Sequence, residues 1–282
     1  MPTVRSADGT EIAYDVFGTG PAVILVDGAL AFRTFGSSPA LAALLAPSRR
    51  VYSYDRRGRG ESGTGHATPD ILEREVEDID TLIELAGTAS LYGISSGGAL
   101  VLEAAMRLGA RVERVAVYEI PYDASEAGIA AWVAYRTELA ELVQKGDRGG
   151  AVELFMRLVG ASDDGVKGMR QSPAWPTFEA VAPTLVNDAA ALGDDRRPPV
   201  ERVRVVTAPA LVMDGSASLA HMPFMRVSAE VLTNAMPNAR HEVLEGQTHQ
   251  VDIQVLAPYL LEFFSGRNAP VQTGTAGSVS RA

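Results

Sequence analysis

The rhythm of apolar and polar residues changes several times along this chain, and each change marks an element. TVRS, a turn at Ala7-Asp8-Gly9 and the alternating EIAYDVF predict an N-terminal hairpin. AVILV (22–26) is apolar without interruption, as suits a strand covered on both faces. SPALAALLA predicts a helix and RVYSYD (50–55) a strand. Residues 69–86 (PDILEREVEDIDTLIELA) predict a helix, with acids toward its start and Leu, Ile and Val at helical spacing. SLYGI, GGALVLEAAMRL and VERVAVYEI (112–120) then read as strand, helix and strand.

Strands alternating with helices imply an α/β fold, a mostly parallel central sheet with helices on both faces. Between 121 and 205 the strands stop. AGIAAWVAYRTELAELV, AVELFMRLV and PTFEAVAPTLVNDAAAL all carry helical patterns. Alternation resumes with APALVMDG, a helix near 224–235, RHEVLEG and a last helix VDIQVLAPYLLEFF. The expected organisation is therefore a core from 1–120 and 206–266 and an all-helical lid insert, 121–205. The tail 267–282, rich in small and polar residues, is expected to be disordered.

Composition removes several classes of function. A chain of 282 residues suits one sizeable domain carrying an insert. Its formal net charge of −10 argues against a nucleic-acid partner, and Arg56, Arg57 and Arg59 read as parts of one loop. No run approaches the roughly 18 uninterrupted apolar residues of a membrane span, so no membrane partner is expected. MPTVRSADGTEIAYD lacks the basic-then-apolar order of a signal peptide, and a cytoplasmic location is the default. The absence of cysteine excludes disulfides and thiolate chemistry. No two of His66, His221, His241 and His249 sit at metal-ligand spacing, so neither a metal nor another cofactor is expected.

The candidate chemistry lies in Gly93-Ile94-Ser95-Ser96-Gly97, a G-x-S-x-G sequence between a predicted strand and a predicted helix. A nucleophile on so sharp a turn needs small neighbours two residues to either side. Ser95 has them; Ser96, between Ile94 and Gly98, does not. A second motif, Gly58-Arg59-Gly60-Glu61-Ser62-Gly63, satisfies G-x-G-x-x-G but opens no helix and does not follow the first strand of the sheet, so a dinucleotide site is rejected.

AVILVDG, YDRRGRGES, YGISSGG and EGQTHQ, in that order, resemble the α/β-hydrolase fold family over about residues 3–265. The resemblance implies a lid inserted after strand six, where the helical stretch falls. It also implies a chain order of nucleophile, acid and histidine. His249, in EGQTHQ between the last strand and last helix, matches the family base; His221 and His241 match no motif. Many members carry the acid three residues after a glycine that follows strand seven, but here Ser218 stands three after Gly215. Asp214 and Glu119 are the alternatives. Glu119 is favoured by a local similarity to zearalenone lactonases, carried by Asp27-Gly28, Ser96-Gly97-Gly98 and Glu119-Ile120-Pro121.

The same resemblance implies an oxyanion hole from the backbone amide of Ser96 with that of Gly28 or Ala29. Asp27 stands where family members often have histidine, and a carboxylate near the mouth would disfavour anionic substrates. Among the aromatic residues of the insert and the strand-three loop, Trp175, between Pro173 and Pro176, is the expected substrate contact. The expectation is a cofactor-independent serine hydrolase of a small hydrophobic carboxylic ester or lactone, acting through an acyl-enzyme. Two alternatives compete with it: a non-catalytic ligand-binding protein, and a lyase or carbon–carbon bond hydrolase using the same triad.

Overall fold

The computed structural model describes residues 2–65 and 70–266; His66 and the tail expected to be disordered lie outside the described residues. Strands β1 (Thr3–Arg5) and β2 (Glu11–Phe17) form the predicted hairpin. They are followed by β3 (Ala22–Val26), β4 (Arg50–Tyr54), β5 (Ala89–Ile94), β6 (Val112–Tyr118), β7 (Ala210–Gly215) and β8 (Ala239–Leu244). The eight strands form one sheet in the order β1-β2-β4-β3-β5-β6-β7-β8. β2 runs antiparallel to β4, and every pairing from β4 to β8 is parallel.

Because side chains alternate along a strand, the unbroken apolar runs feed two cores at once. Ile24 and Val26 of β3 and Val115 and Val117 of β6 enter one cluster. Helices α2 (Ile71–Ala86), α3 (Ser96–Leu108) and α10 (Phe224–Ala235) bury Ile79, Leu100 and Leu232 in it. Val23, Leu25, Ala116 and Tyr118 face the other cluster, covered by α1 (Ser38–Leu45) and α11 (Ile253–Phe264) through Leu41, Leu256 and Phe263.

Between β6 and β7 the chain is helical, as its pattern predicts: α4 (Glu126–Gln144), α5 (Arg148–Leu158), α6 (Asp163–Arg170), α7 (Trp175–Val181), α8 (Leu185–Leu192) and α9 (Val200–Val203). Ser125, Asp147 and Ser162 cap the first three, each accepting from an amide of the first turn. The single helical stretch read from PTFEAVAPTLVNDAAAL is two helices. Pro183 cannot donate a hydrogen bond, and the chain passes through a 3-10 turn at 182–184 before α8. Asp123 and Arg196 join the two ends of the segment, the Asp123 amide donating to the Arg196 carbonyl. Among the described residues, no helix is long and apolar enough to cross a membrane.

Candidate active site

Three turns at the carboxyl ends of neighbouring strands carry backbone that side chains rarely adopt. Among the described residues, positive φ outside glycine occurs at Leu30 (61°), Ser95 (57°), Glu119 (45°) and Arg196 (56°). The first three follow β3, β5 and β6, which are adjacent in the sheet. Strain of this kind persists where the surroundings over-determine it, and functional sites are where it gathers.

Ser95 sits between β5 and α3, with its amide donating to Tyr118 O at 3.0 Å. The glycines around it leave no room for anything larger. A Cβ on Gly93 would lie 2.5 Å from Gly97 O, and one on Gly97 would lie 2.3 Å from Val26 O. Gly97→Ala therefore forces α3 away from the end of β3; it is expected to cost about 1–3 kcal/mol or more by thermal unfolding and to lower turnover. Ser96 opens α3, so its amide is one of the first-turn amides that lack an intrahelical acceptor.

The strained turn at Glu119 drives that side chain into the interior, where it is 1 % exposed. One oxygen, Oε1, accepts from the Gly215 amide at 2.9 Å, and the other, Oε2, lies 2.9 Å from His249 Nδ1. A carboxylate only accepts, so Nδ1 carries the proton and Nε2 keeps its lone pair. The loop bearing His249 runs over Gly215, where a Cβ would meet Gln247 O at 2.2 Å. Tyr118 Oη donates to Thr248 O at 2.6 Å and holds the residue before the histidine.

Asp214, the alternative acid, is committed elsewhere. Its Oδ2 accepts from Arg226 Nε at 2.6 Å, and its Oδ1 pairs with His241 Nε2. Ser218 is buried in the 3-10 turn 216–220, and His221 is exposed.

Two expectations need correction or restatement. Asp27 does not stand at an open mouth: it is 5 % exposed and accepts from Ser38 Oγ at 2.6 Å. Burial pushes its carboxyl above the ordinary range, and the Ser38 hydrogen bond and the Arg59 and Arg56 charges only partly offset this. It therefore presents no exposed carboxylate to repel an anionic substrate. Trp175 is 5 % exposed within the apolar core that the helical segment shares with the sheet, with the Arg170 guanidinium 5.8 Å over its ring. Its contacts are those of a core residue. The half-buried Phe32 and Phe35 of the strand-three loop stack on each other, and Phe35 meets Phe178 of α7 edge-on at 5.4 Å. A surface cleft of about 450 Å³ lined by Asp147, Arg148, Pro176 and Glu179 among others belongs to the helical segment alone.

Sequence reasoning missed the ions behind the site. Arg56 and Arg59 are each 1 % exposed and converge on Asp188 of α8, Arg56 Nη1 reaching Oδ1 and Arg59 Nη2 reaching Oδ2, both at 2.6 Å. The glycine turn 58–63 packs closely on Asp55, whose Oδ2 would lie 2.3 Å from a Cβ at Gly60.

Against known proteins, residues 18–255 match the model of a family described as the alpha/beta hydrolase family. An alpha/beta hydrolase from Sphaerobacter thermophilus is 44 % identical, with a TM-score of 0.82, and the match covers 93 % of this chain and 100 % of that one. Two more distant structures share the fold. A thermophilic esterase from Thermogutta terrifontis has 22 % identity and a TM-score of 0.69 over 94 % and 98 % of the two chains. An enol-lactonase from Burkholderia xenovorans has 23 % identity and a TM-score of 0.65 over 94 % and 100 %. No curated protein matches the chain.

Proposed function

The chain belongs to the alpha/beta hydrolase family, and on that premise we propose that it is a cofactor-independent serine hydrolase of small hydrophobic carboxylic esters or lactones. The observation that carries the reading is the 2.9 Å contact between Glu119 Oε2 and His249 Nδ1. It supplies the acid whose usual position is occupied by Ser218, and it leaves Nε2 as the base.

In this mechanism Ser95 Oγ attacks the carbonyl carbon while its proton passes to His249 Nε2. Glu119 stabilises the imidazolium and, gripped by the Gly215 amide, holds the ring in one tautomer. The carbonyl oxygen, now an oxyanion, takes hydrogen bonds from the Ser96 amide and from Gly28 or Ala29. His249 then protonates the departing alkoxide. Water, deprotonated by the same nitrogen, releases the acid from Ser95. The half-buried aromatic contacts of Phe32, Phe35 and Phe178 join the strand-three loop to α7 and suit an apolar acyl or alcohol group. The segment 121–205 acts as the cap over that group.

Rapid mixing with excess p-nitrophenyl butyrate tests the reading. A burst of nitrophenol approaching one equivalent per protein, or steady turnover with methanol partitioning to methyl butyrate, marks an acyl-enzyme. Folded protein that neither turns over nor acylates on a panel of aryl esters and lactones overturns it.

A further inference from the structure

We propose that Asp188, a residue of the helical segment, is the positioning residue that holds both halves of the oxyanion hole in register. The inference rests on the serine-hydrolase reading above. It starts from six hydrogen bonds made by one buried carboxylate and its two arginines. Asp188 Oδ1 accepts from Ser96 Oγ at 2.7 Å as well as from Arg56, and Oδ2 accepts from Arg59. Arg59 Nη1 donates to Gly28 O at 2.6 Å and to Ala31 O at 3.0 Å, and Arg56 Nη1 donates to Asp27 O at 3.2 Å.

The carbonyl contacts decide where the amides of the strand-three loop point. In a trans peptide the C=O and the N–H of the same unit face opposite ways. Arg56 holding Asp27 O turns the Gly28 amide away from the arginines, and Arg59 holding Gly28 O turns the Ala29 amide likewise. Gly28 itself stands against the nucleophile, since a Cβ placed on it would lie 3.1 Å from Ser95 Cβ and 3.7 Å from Ser95 Oγ. Arg59 also grips the carbonyls on either side of Leu30, the strained residue of this loop. The other donor, the Ser96 amide, belongs to the residue whose hydroxyl Asp188 holds. One side chain from α8 thus fixes the loop after β3 relative to the turn after β5.

Asp188 is suited to the task electrostatically. Burial alone would raise its carboxyl, but the Arg59 and Arg56 charges and the Ser96 hydrogen bond outweigh burial and hold it below the ordinary range. It therefore stays ionised across the working range of an esterase. Arg56 has a second carboxylate partner, Glu75, in a bidentate pair of 2.8 and 2.7 Å. For Arg59, Asp188 is the one carboxylate partner among the described residues. Asp188→Asn keeps the shape, removes the charge and frees Arg59 to shift, taking the Gly28 carbonyl with it.

Donors for an oxyanion act in the transition state more than in the ground state, so their displacement lowers kcat and spares KM. The test compares the full-length wild type with Asp188→Asn, Ser96→Ala and Asp78→Asn. Asp78 forms an equally buried pair with Arg57, at 2.7 and 2.8 Å, and the hydrogen bonds of Arg57 go to Asp78, Asp8 and the Arg74 carbonyl, away from the loop 27–31. It controls for the loss of a buried ion pair as such. Each variant is assayed on p-nitrophenyl butyrate, with active sites counted by the end point of fluorophosphonate labelling, and for inhibition by an aryl trifluoromethyl ketone. In the ketone adduct Ser95 Oγ bonds to the carbonyl carbon, the π pair moves to oxygen as an oxyanion, and the serine proton goes to His249.

Asp188→Asn is expected to lower kcat per labelled site about 10- to 100-fold, with KM little changed and ketone affinity falling in parallel. Ser96→Ala, a milder change that leaves the ion pairs intact, is expected to lower both by about 3- to 10-fold at near wild-type Tm. Asp78→Asn lowers Tm without lowering kcat per site. Asp188→Asn with wild-type kcat and ketone affinity, or Asp78→Asn with an equal per-site loss, overturns the inference while the serine-hydrolase reading stands. If Asp188→Asn does not fold, Ser96→Ala decides, and unchanged kcat and ketone affinity in it overturn the inference. A folded wild type that neither labels nor turns over overturns both.

Discussion

Ser95→Ala reduces turnover of every ester substrate by about 10⁴-fold or more, with KM nearly unchanged and Tm at or above that of the wild type. The size of the effect follows from what remains. Without a hydroxyl there is no acyl-enzyme, and catalysis falls to what an oxyanion hole and a bound water can provide. Stability is expected to hold or rise because Ser95 is held at φ 57° for its position and not for packing, and it is partly exposed. Turnover measured at several protein concentrations, alongside thermal unfolding, checks both halves. A loss of activity matched by a loss of fold would contradict this account of the turn.

Glu119→Gln has the next largest effect, lowering kcat by about 10³- to 10⁴-fold, by analogy with acid-to-amide changes in other triads. Glu119 receives two donors, the Gly215 amide on Oε1 and His249 Nδ1 on Oε2. Glutamine offers one acceptor and one donor. With its oxygen toward Gly215, its amide group faces Nδ1, which must then give up its proton; the proton moves to Nε2, and the base is lost. With its oxygen toward His249, its amide group meets the Gly215 N–H, donor against donor. Neither orientation restores the native arrangement. Asp214→Asn has a different signature. It disrupts the pairs with Arg226 and His241 and costs about 1–3 kcal/mol of stability, while kcat per folded molecule stays close to that of the wild type. The opposite pattern, turnover lost in Asp214→Asn and kept in Glu119→Gln, would make Asp214 the acid.

How much of this was legible in the sequence depended on whether a feature is local. AVILV announces a strand buried on both faces because composition alone records that burial. The break at Pro183 was readable in principle, since proline ends a helix by its own chemistry, but apolar spacing ran straight through it. Ser95 is marked by glycines two residues away, whose Cβ atoms would strike neighbouring backbone. Glu119 and His249 came forward as candidates from short motifs, and the structure places them in contact across 130 positions. The Asp188 cluster had no such marker. Arg59 and Asp188 lie 129 positions apart, and a charge count does not distinguish a solvated arginine from one that is 1 % exposed. The same blindness placed Asp27 at the mouth of the site, when Ser38 and the fold enclose it. Trp175 was singled out for its flanking prolines, but Trp175 and Pro176 start a helix, and the ring is buried in its packing.

The central claim is that Ser95 is an activated nucleophile. It is tested most directly by intact-mass measurement after exposure to a fluorophosphonate, comparing the wild type with Ser95→Ala. The account predicts one adduct on the wild type, none on Ser95→Ala, and slower labelling of Glu119→Gln. A folded wild type that takes no adduct, or an adduct that persists in Ser95→Ala, would contradict it.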